Sequence, residues 1–409
     1  MTNSKKLNIC YVTPDIASSK DIHDGGTTHV MGVAQSLAEM GNTVHIISKR
    51  VSYNQKSFEQ ICPNIYEHRI FRGMFMPITY RAESIVQRST LKNILLSAMT
   101  YVYLRTVYMF FVMIHALLII HRHNIDGVIE RASSYGAGVY AAKLCGIPSI
   151  VEVIDPEYSS MALRNTDKIF AYTTSIFKSS ISREKIEITT AGVDLRRFDL
   201  KRLDGTKIRR KYGIQNNDVV VYVGSLEPWH GIGDLISAMS YLGDNVRLLV
   251  VGGKKDVLTI LRRLADEKGV SDRVIFVGSV DHSEVPNYIA AADVACAPFN
   301  PAKGSLTRKH GFFFSPIKIF EYMACGKPVV ATNIEIVSDI VKTNNCGVLV
   351  EPGDPVSLAE GVDLLLKNKK EAQAYGKNGR KAVQGKYTWD IVASQLYGGL
   401  LDIIRDHDS

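Results

Sequence analysis

The chain has 409 residues, too many for one ordinary core, so two domains of roughly 200 residues each are expected. Apolar residues make up 46% and charged residues 22%, which excludes a disordered or low-complexity chain. Lys and Arg number 49 against 41 Asp and Glu, a net charge of +8 that favours anionic partners such as nucleotides, phosphate esters or acidic membrane surfaces.

The six cysteines (Cys10, Cys62, Cys145, Cys296, Cys325, Cys346) form no CxxC pair. A disulfide framework or zinc ribbon is not expected, and a reducing compartment fits. The apolar stretch Leu7–Val12 is too short for a secretory signal core and predicts a first strand. These features together lead to an expectation of a cytoplasmic protein.

The N-terminal half alternates strand and helix. Strands are predicted at Leu7–Thr13, Thr43–Ser48, Gly127–Glu130, Ser149–Ile154, Ile169–Tyr172 and Ile186–Thr189. Helices are predicted at Thr28–Met40, stopped by Gly41, and at Gly136–Leu144. The stretch Ile94–Ile120 is strongly apolar but interrupted by Arg105. The remaining run Thr106–Ile120 falls short of the about 20 residues a spanning helix needs. A helix packed in the domain is the first reading, with a surface-lying or membrane-crossing helix as alternatives. Between Glu67 and Arg105 stand Arg69, Arg72, Arg81, Arg88 and Lys92, interleaved with Phe71, Phe75, Tyr80, Tyr101 and Tyr103; Glu83 is the other acid. A basic, aromatic stretch beside an apolar helix predicts peripheral contact of residues 67–121 with an anionic membrane, with a basic groove wall as the alternative.

The second half repeats the rhythm more cleanly. Strands are predicted at Val219–Val223, Arg247–Val251, Val274–Val277, Val294–Ala297, Pro328–Ala331 and Gly347–Val350. Helices are predicted at Ile232–Tyr241, Lys255–Lys268, Ser283–Ala291, Ile317–Ala324, Ile334–Lys342 and Pro355–Leu366. The fold class is therefore α/β, with two doubly wound parallel-sheet domains over 1–192 and 207–386. Their junction is placed near Leu195–Thr206. An amphipathic helix, 389–405, ends the pattern.

In such sheets ligands bind where the carboxyl ends of strands lead into helix N-termini. Three loops qualify. The first is Asp24-Gly25-Gly26-Thr27-Thr28-His29, where paired glycines let a phosphate or sugar approach the backbone and a threonine can cap the helix. A plain turn explains it equally well. The second is Tyr222-Val-Gly224-Ser225-Leu-Glu-Pro-Trp229-His230-Gly231, where Ser225 and His230 are placed to donate hydrogen bonds; a capping histidine is the plainer reading. The third is Phe314-Ser315-Pro316-Ile317-Lys318-Ile-Phe-Glu321-Tyr-Met-Ala-Cys-Gly-Lys-Pro. Ser315 suits an N-cap and Pro316 the first helical position. Lys318 and Glu321 share one helix face, where a lysine can take phosphate and a carboxylate can accept from two ribose hydroxyls. A surface salt bridge would use the same pair. No GxGxxG or GxxxxGK[ST] fingerprint is present.

Glu321-Tyr-Met-Ala-Cys-Gly-Lys-Pro-Val-Val, Gly192-Val-Asp-Leu-Arg-Arg-Phe198 and the Gly224…His230-Gly231 loop stand in order over nearly the whole chain. Together they resemble the retaining, nucleotide-sugar-dependent glycosyltransferases of family 4, whose GT-B architecture has two facing Rossmann-like domains. The resemblance implies that Glu321 is the second glutamate of the family's E-x7-E element and binds the donor ribose. It implies that the backbone amides of the Ser315–Ile317 turn contact the donor diphosphate and that Gly25 and Gly26 lie beside phosphate and sugar. The final helix would cross back to the first domain. Three departures stand out: Phe313 occupies the place of the first glutamate, Ser225 and His230 the places of the usual Arg and Lys, and Ala191 that of an Asn. They read as a sub-branch in which Lys318 supplies the charge and His230 donates.

Near the anomeric carbon the first domain offers Glu130, Arg131, Glu152, Asp155 and Glu157; Glu130 and Asp155 are the candidates for orienting acceptor or sugar, and each equally suits a loop cap or ion pair. The expected activity is transfer of a hexose from a UDP- or GDP-linked donor to a glycan or lipid-linked hydroxyl. No metal cofactor and no nucleic acid are expected. His121-Arg-His123 lacks a helical metal spacing, and Asp406-His-Asp408 sits in a polar tail. The rivals are a nucleotide-sugar epimerase and a non-catalytic membrane partner subunit.

Overall fold

The computed structural model describes residues 5–16, 25–50, 55–70, 104–131, 136–177 and 180–408. Asp24, Arg72, Arg81, Glu83, Arg88, Lys92, Phe71, Phe75, Tyr80, Tyr101 and Tyr103 lie outside them, as does the first part of the apolar stretch. The chain divides into two compact units, Met1–Thr190 with Asp390–Ser409, and Ala191–Trp389.

In the N-terminal unit the elements run β1 (Asn8–Thr13), α1 (Gly25–Glu39), β2 (Thr43–Lys49), β3 (Phe58–Cys62), β4 (Ile65–Ile70), α2 (Met109–His123), β5 (Gly127–Arg131), α3 (Ala137–Cys145), β6 (Ser149–Val153), α4 (Ser160–Asn165), β7 (Lys168–Ala171) and β8 (Ile186–Ile188). They form one eight-stranded sheet in the order β3-β4-β2-β1-β5-β6-β7-β8. All pairs are parallel except the β3–β4 edge hairpin. The central strands are buried on both faces, as helix-covered parallel strands must be: Ile9 through Val12 and Val128–Ile129 have no exposed surface.

β3 and β4 are additions to the predicted pattern. β4 reads Ile-Tyr-Glu-His-Arg-Ile and carries no apolar run, yet Glu67 and Arg69 are buried. They pair with each other at 2.5 Å, and Ser48 Oγ donates to Glu67 at 2.6 Å. Mutual neutralisation lets polar residues occupy an interior strand.

α2 packs Val112, Ala116, Ile119 and Ile120 onto β1, β2 and α3, and Tyr108 just before it donates to the Pro14 carbonyl at 2.9 Å. Thr106–His123 has the length and hydropathy of a membrane-crossing helix. One face is nevertheless taken by the sheet, while Val107, Phe110, Phe111 and Leu118 are exposed.

The final helix, α14 (Trp389–Asp408), lies against the N-terminal sheet from Asp390 onward. Gly399 sits within contact of Phe170 and Ile150, and Tyr397 donates to the Lys5 carbonyl at 2.5 Å. Ser36 donates to Asp390 at 2.7 Å.

The C-terminal unit contains α5 (Gly205–Tyr212), β9 (Asp218–Val223), α6 (Ile232–Ala238), β10 (Val246–Val251), α7 (Lys255–Glu267), β11 (Val274–Gly278), α8 (Val285–Ala290), β12 (Val294–Ala297), α9 (Ser305–His310), α10 (Ile317–Ala324), β13 (Val329–Thr332), α11 (Glu335–Asn344), β14 (Gly347–Val350), α12 (Pro355–Lys367) and α13 (Lys369–Lys386). The sheet order is β11-β10-β9-β12-β13-β14, all parallel. Strand order therefore reverses between β9 and β12, and a ligand crevice is expected at their carboxyl ends.

The segment that leads into this unit, where the junction near Leu195–Thr206 is expected, is held by it: Val193 bridges to Thr388 and Arg380 donates to the Phe198 carbonyl at 2.9 Å. α13, polar and glycine-containing, was not among the predicted helices. Its Gly376 abuts the Gly326 carbonyl and Gly379 abuts Met323, so the missing side chains let α13 lie directly behind α10.

Candidate functional site

At the switch point of the C-terminal sheet, β9 ends in Gly224, whose φ of 132° takes the chain out sharply. A short 3-10 turn, Pro228–His230, follows, and Gly231 opens α6 with a φ of 74°. A side chain at Gly231 would collide with the Pro298 carbonyl at the end of β12, so the turn is held directly against the neighbouring strand.

α10 begins at Ile317, with Pro316 at the cap and no side-chain cap bond. This corrects the expectation for Ser315: its Oγ accepts from the Ala191 amide at 3.0 Å instead of capping the helix. The Ile317 amide, expected to face a diphosphate, donates to the Ser315 carbonyl at 3.0 Å.

Lys318, in the first turn of α10, reaches back to β9. Its Nζ donates to Tyr222 Oη at 2.9 Å, and it lies 4.3 Å from the Tyr222 ring centre and 4.9 Å from that of Phe299. Tyr222 Oη donates onward to the Ser225 carbonyl at 2.5 Å. His230 Nδ1 lies 2.8 Å from the same carbonyl and 3.0 Å from Ser225 Oγ. Those partners assign the ring proton to Nδ1. Ser225 is thus gripped from two sides, and the His230 Nδ1–H orders the turn.

Burial lowers the Lys318 ammonium to about 7, partly opposed by Glu321. Burial, with Lys318 adding repulsion, lowers His230 to about 2, so the imidazole is neutral. An anion arriving beside Lys318 would replace the lost hydration and restore its charge.

Glu321 is 7% exposed, one turn further along α10. Its Oε1 lies 3.4 Å from His282 Nε2 in the loop after β11. Next to it, Tyr322 Oη accepts from the Val223 amide at 2.9 Å and donates to the Cys296 carbonyl at 3.2 Å. This hydroxyl ties β9 to β12 at the point where the order reverses. Phe313 is wholly buried in a cluster with Phe314, Phe312, Phe299 and Trp229; Trp229 and Phe314 stack at 4.7 Å. Tyr222 was named only as the start of the second loop, with no role given to it, and Phe299 and His282 were not singled out, because no motif near them in the chain marks them.

Gly224, Ser225, His230, Pro316, Lys318 and Glu321 are therefore brought to one end of the C-terminal sheet. Gly25, Gly26, Glu130 and Asp155 belong to the N-terminal unit, also at carboxyl ends of strands. Gly25 and Gly26 are the first residues of α1, so Thr27 and Thr28 lie in its first turn and do not cap it from outside. A side chain at Gly25 would meet no atom within 4 Å among the described residues. Glu130 is buried, and its Oε2 accepts from the Val139 amide at 3.0 Å, which makes it the anchor of the α3 N-terminus. Asp155 follows β6, accepts from the Glu157 amide at 3.2 Å and lies 4.0 Å from the Arg131 guanidinium. Burial outweighs Arg131 and raises the Asp155 carboxyl to about 6.

A buried network sits beneath these residues. Tyr11 Oη donates to Glu152 Oε2 at 2.5 Å, Glu152 Oε1 lies 2.9 Å from His29 Nε2, and His29 Nδ1 lies 3.0 Å from Tyr172 Oη. Burial pushes the Glu152 carboxyl up, but His29, Tyr11 and Arg131 outweigh it and hold it below the ordinary range. His29 stands one turn after Gly25, so this network fixes the start of α1 on β6.

Residues 204–382 match the family described as glycosyl transferases group 1. A GDP-mannose-dependent alpha-(1-6)-phosphatidylinositol monomannoside mannosyltransferase of Mycobacterium tuberculosis is 31% identical over 247 residues, 59% of this chain and 61% of that protein. The chain thus spans about three-fifths of that relative's length. The N-acetyl-alpha-D-glucosaminyl L-malate synthase of Bacillus anthracis is 23% identical over 390 residues, covering 93% of this chain and 95% of the other. Among solved structures, sucrose-phosphate synthase from Thermosynechococcus elongatus superposes with a TM-score of 0.72 at 20% identity, over 99% of this chain and 100% of that one. The chain thus has the GT-B fold of its solved neighbours, and residues 204–382, with the Lys318–Glu321 helix, match the glycosyl transferases group 1 family.

Proposed function

We propose that the protein transfers a hexose, with retention, from a UDP- or GDP-linked donor to a hydroxyl of a lipid-linked or glycan acceptor. The observation that carries this reading is the convergence of Lys318, the Ser225 turn and Glu321 at the ends of β9 and β12. Lys318 neutralises the departing diphosphate, Glu321 accepts from the ribose hydroxyls, and Phe299 with Tyr222 keeps the lysine poorly hydrated. Charge on the leaving group is met by this lysine in the first turn of α10, so the reading needs no divalent cofactor. Asp155, titrating near 6, orients the acceptor hydroxyl or the sugar.

Relatives named as acting on phosphatidylinositol mannosides support a lipid-bearing acceptor. The exposed Phe110, Phe111 and Leu118 on α2, with His121 and Arg122 in its last turn, support peripheral contact with an anionic, cytoplasm-facing membrane surface.

Thermal-shift titration with UDP, GDP and their sugars tests the donor assignment. One nucleotide class should raise Tm, and Glu321→Ala should remove most of that rise. If no nucleotide shifts Tm, or if Glu321→Ala responds like the parent, the reading fails.

A further inference from the structure

Three imidazoles meet in the N-terminal unit, where α2 ends against the amino-terminal half of β2. His45 on β2, His68 on β4 and His123, the last residue of α2, have ring nitrogens that all lie within 4.8 Å of one another. Parallel pairing sets His45 opposite Tyr66, so His68 stands one pleat further along the same face. The end of α2 then brings His123 over that face, with its ring 4.1 Å from His45 and 5.6 Å from His68.

We propose that His45, His68 and His123 form a three-histidine site for a borderline divalent transition ion, with Zn2+ as the type case, that staples the end of α2 to the β2–β4 edge. His45 Nδ1 and His68 Nε2 are 3.1 Å apart. Two nitrogens bound to one tetrahedral zinc at about 2.0 Å stand about 3.3 Å apart, so this pair already has the required bite. His123 is half-buried and closes the set by moving in by at most about 1.5 Å, leaving one position for water.

The surroundings suit a ligand set. His45 stacks on Tyr66 at 5.1 Å and His68 packs on Phe58 at 4.9 Å, which fixes the two inner rings. Burial first, then His123, lowers His45 to about 4; burial with His45, His123, Arg122 and His115 lowers His68 to about 3. Protons therefore do not compete with a metal at neutral pH. The carboxyl end of α2 favours a cation at His123, while Arg122 opposes it. In the metal-free protein the same two nitrogens share one N–H···N hydrogen bond. On binding, that proton moves to the far nitrogen of its ring, and no net proton is released.

The test uses the full chain stripped with chelator and titrated calorimetrically with ZnCl2, with Co2+ absorption reporting a four-coordinate nitrogen site. One equivalent of Zn2+ should bind and raise Tm. The double variant His68→Asn/His123→Asn should lose both, and His123→Asn alone, changed at the most accessible ligand, should weaken binding at least tenfold. His121→Asn, which alters the neighbouring His121–Cys145 contact at 3.9 Å, should bind as the parent does. Absence of stoichiometric binding, or equal binding by the double variant, overturns the proposal. The nucleotide thermal shift should survive in the double variant, which separates this site from the donor site.

Discussion

Lys318 Nζ donates to Tyr222 Oη at 2.9 Å while lying 4.3 Å from the centre of the same ring. The contact joins the second residue of α10 to the fifth residue of β9, and it desolvates the ammonium that a diphosphate would need.

Because Lys318 titrates near 7 without ligand, anion binding should draw a proton from solution at pH 7.5. Calorimetric titrations of UDP or GDP in buffers of different ionisation enthalpy should show uptake of a substantial fraction of one proton. Lys318→Met should abolish that uptake and weaken binding by about 1.5–3 kcal/mol, roughly 10- to 150-fold. Equal heats in all buffers would remove Lys318 from the diphosphate site.

Asp155 carries the opposite linkage. Its folded carboxyl is raised from 3.8 to about 6, so the native state holds a proton the unfolded chain has released, and the stability contributed by this group is lost as pH rises from 3.8 through about 6. If its ionised form orients the acceptor, transfer should rise through pH 6, and Asp155→Asn should flatten that limb of kcat/KM. A limb unchanged in the variant assigns the titration to another group.

Two glycines should respond in opposite ways. Gly231→Ala forces a side chain into the Pro298 carbonyl at positive φ and should cost about 3 kcal/mol or more by chemical denaturation. Gly25→Ala meets no described atom within 4 Å at the start of α1 and should leave stability within about 1 kcal/mol. If the Gly25 turn faces the donor, that variant should still lose at least tenfold in transfer rate. Full activity in Gly25→Ala would reduce the loop to a plain helix start.

The exposed side of α2 can be separated from its packed side. Phe111→Glu/Leu118→Glu changes exposed residues only and should leave Tm within a few degrees of the parent. Sedimentation with vesicles rich in anionic lipid should fall markedly, and binding by the parent should weaken with salt. Retained sedimentation in the double variant would place the membrane contact elsewhere.

Features that depend on near neighbours were legible in the chain itself. Continuous apolar runs such as Val219–Val223 announce strands covered on both faces, and Ile317–Ala324 was bounded correctly as a helix, although Pro316 stands at its cap where Ser315 was expected and lies outside the first turn. Glu321 and Lys318 could be paired because helix geometry alone puts positions three apart on one side. β4 was not legible: burial of Glu67 and Arg69 depends on their pairing with each other and on Ser48 from another strand.

Sequence order and local chemistry thus determined the alternation of elements, the two-unit α/β plan and the helix that carries Glu321. Tertiary structure decided what each polar side chain does there: Ser315 serves the Ala191 amide, Glu130 anchors α3, and Lys318 is half-buried against Tyr222 and Phe299. The reason is physical. Strand and helix periodicity acts over a few residues, whereas desolvation and hydrogen-bond pairing are set by groups such as Tyr222 and Lys318, or His45 and His123, that meet only when the sheet has formed.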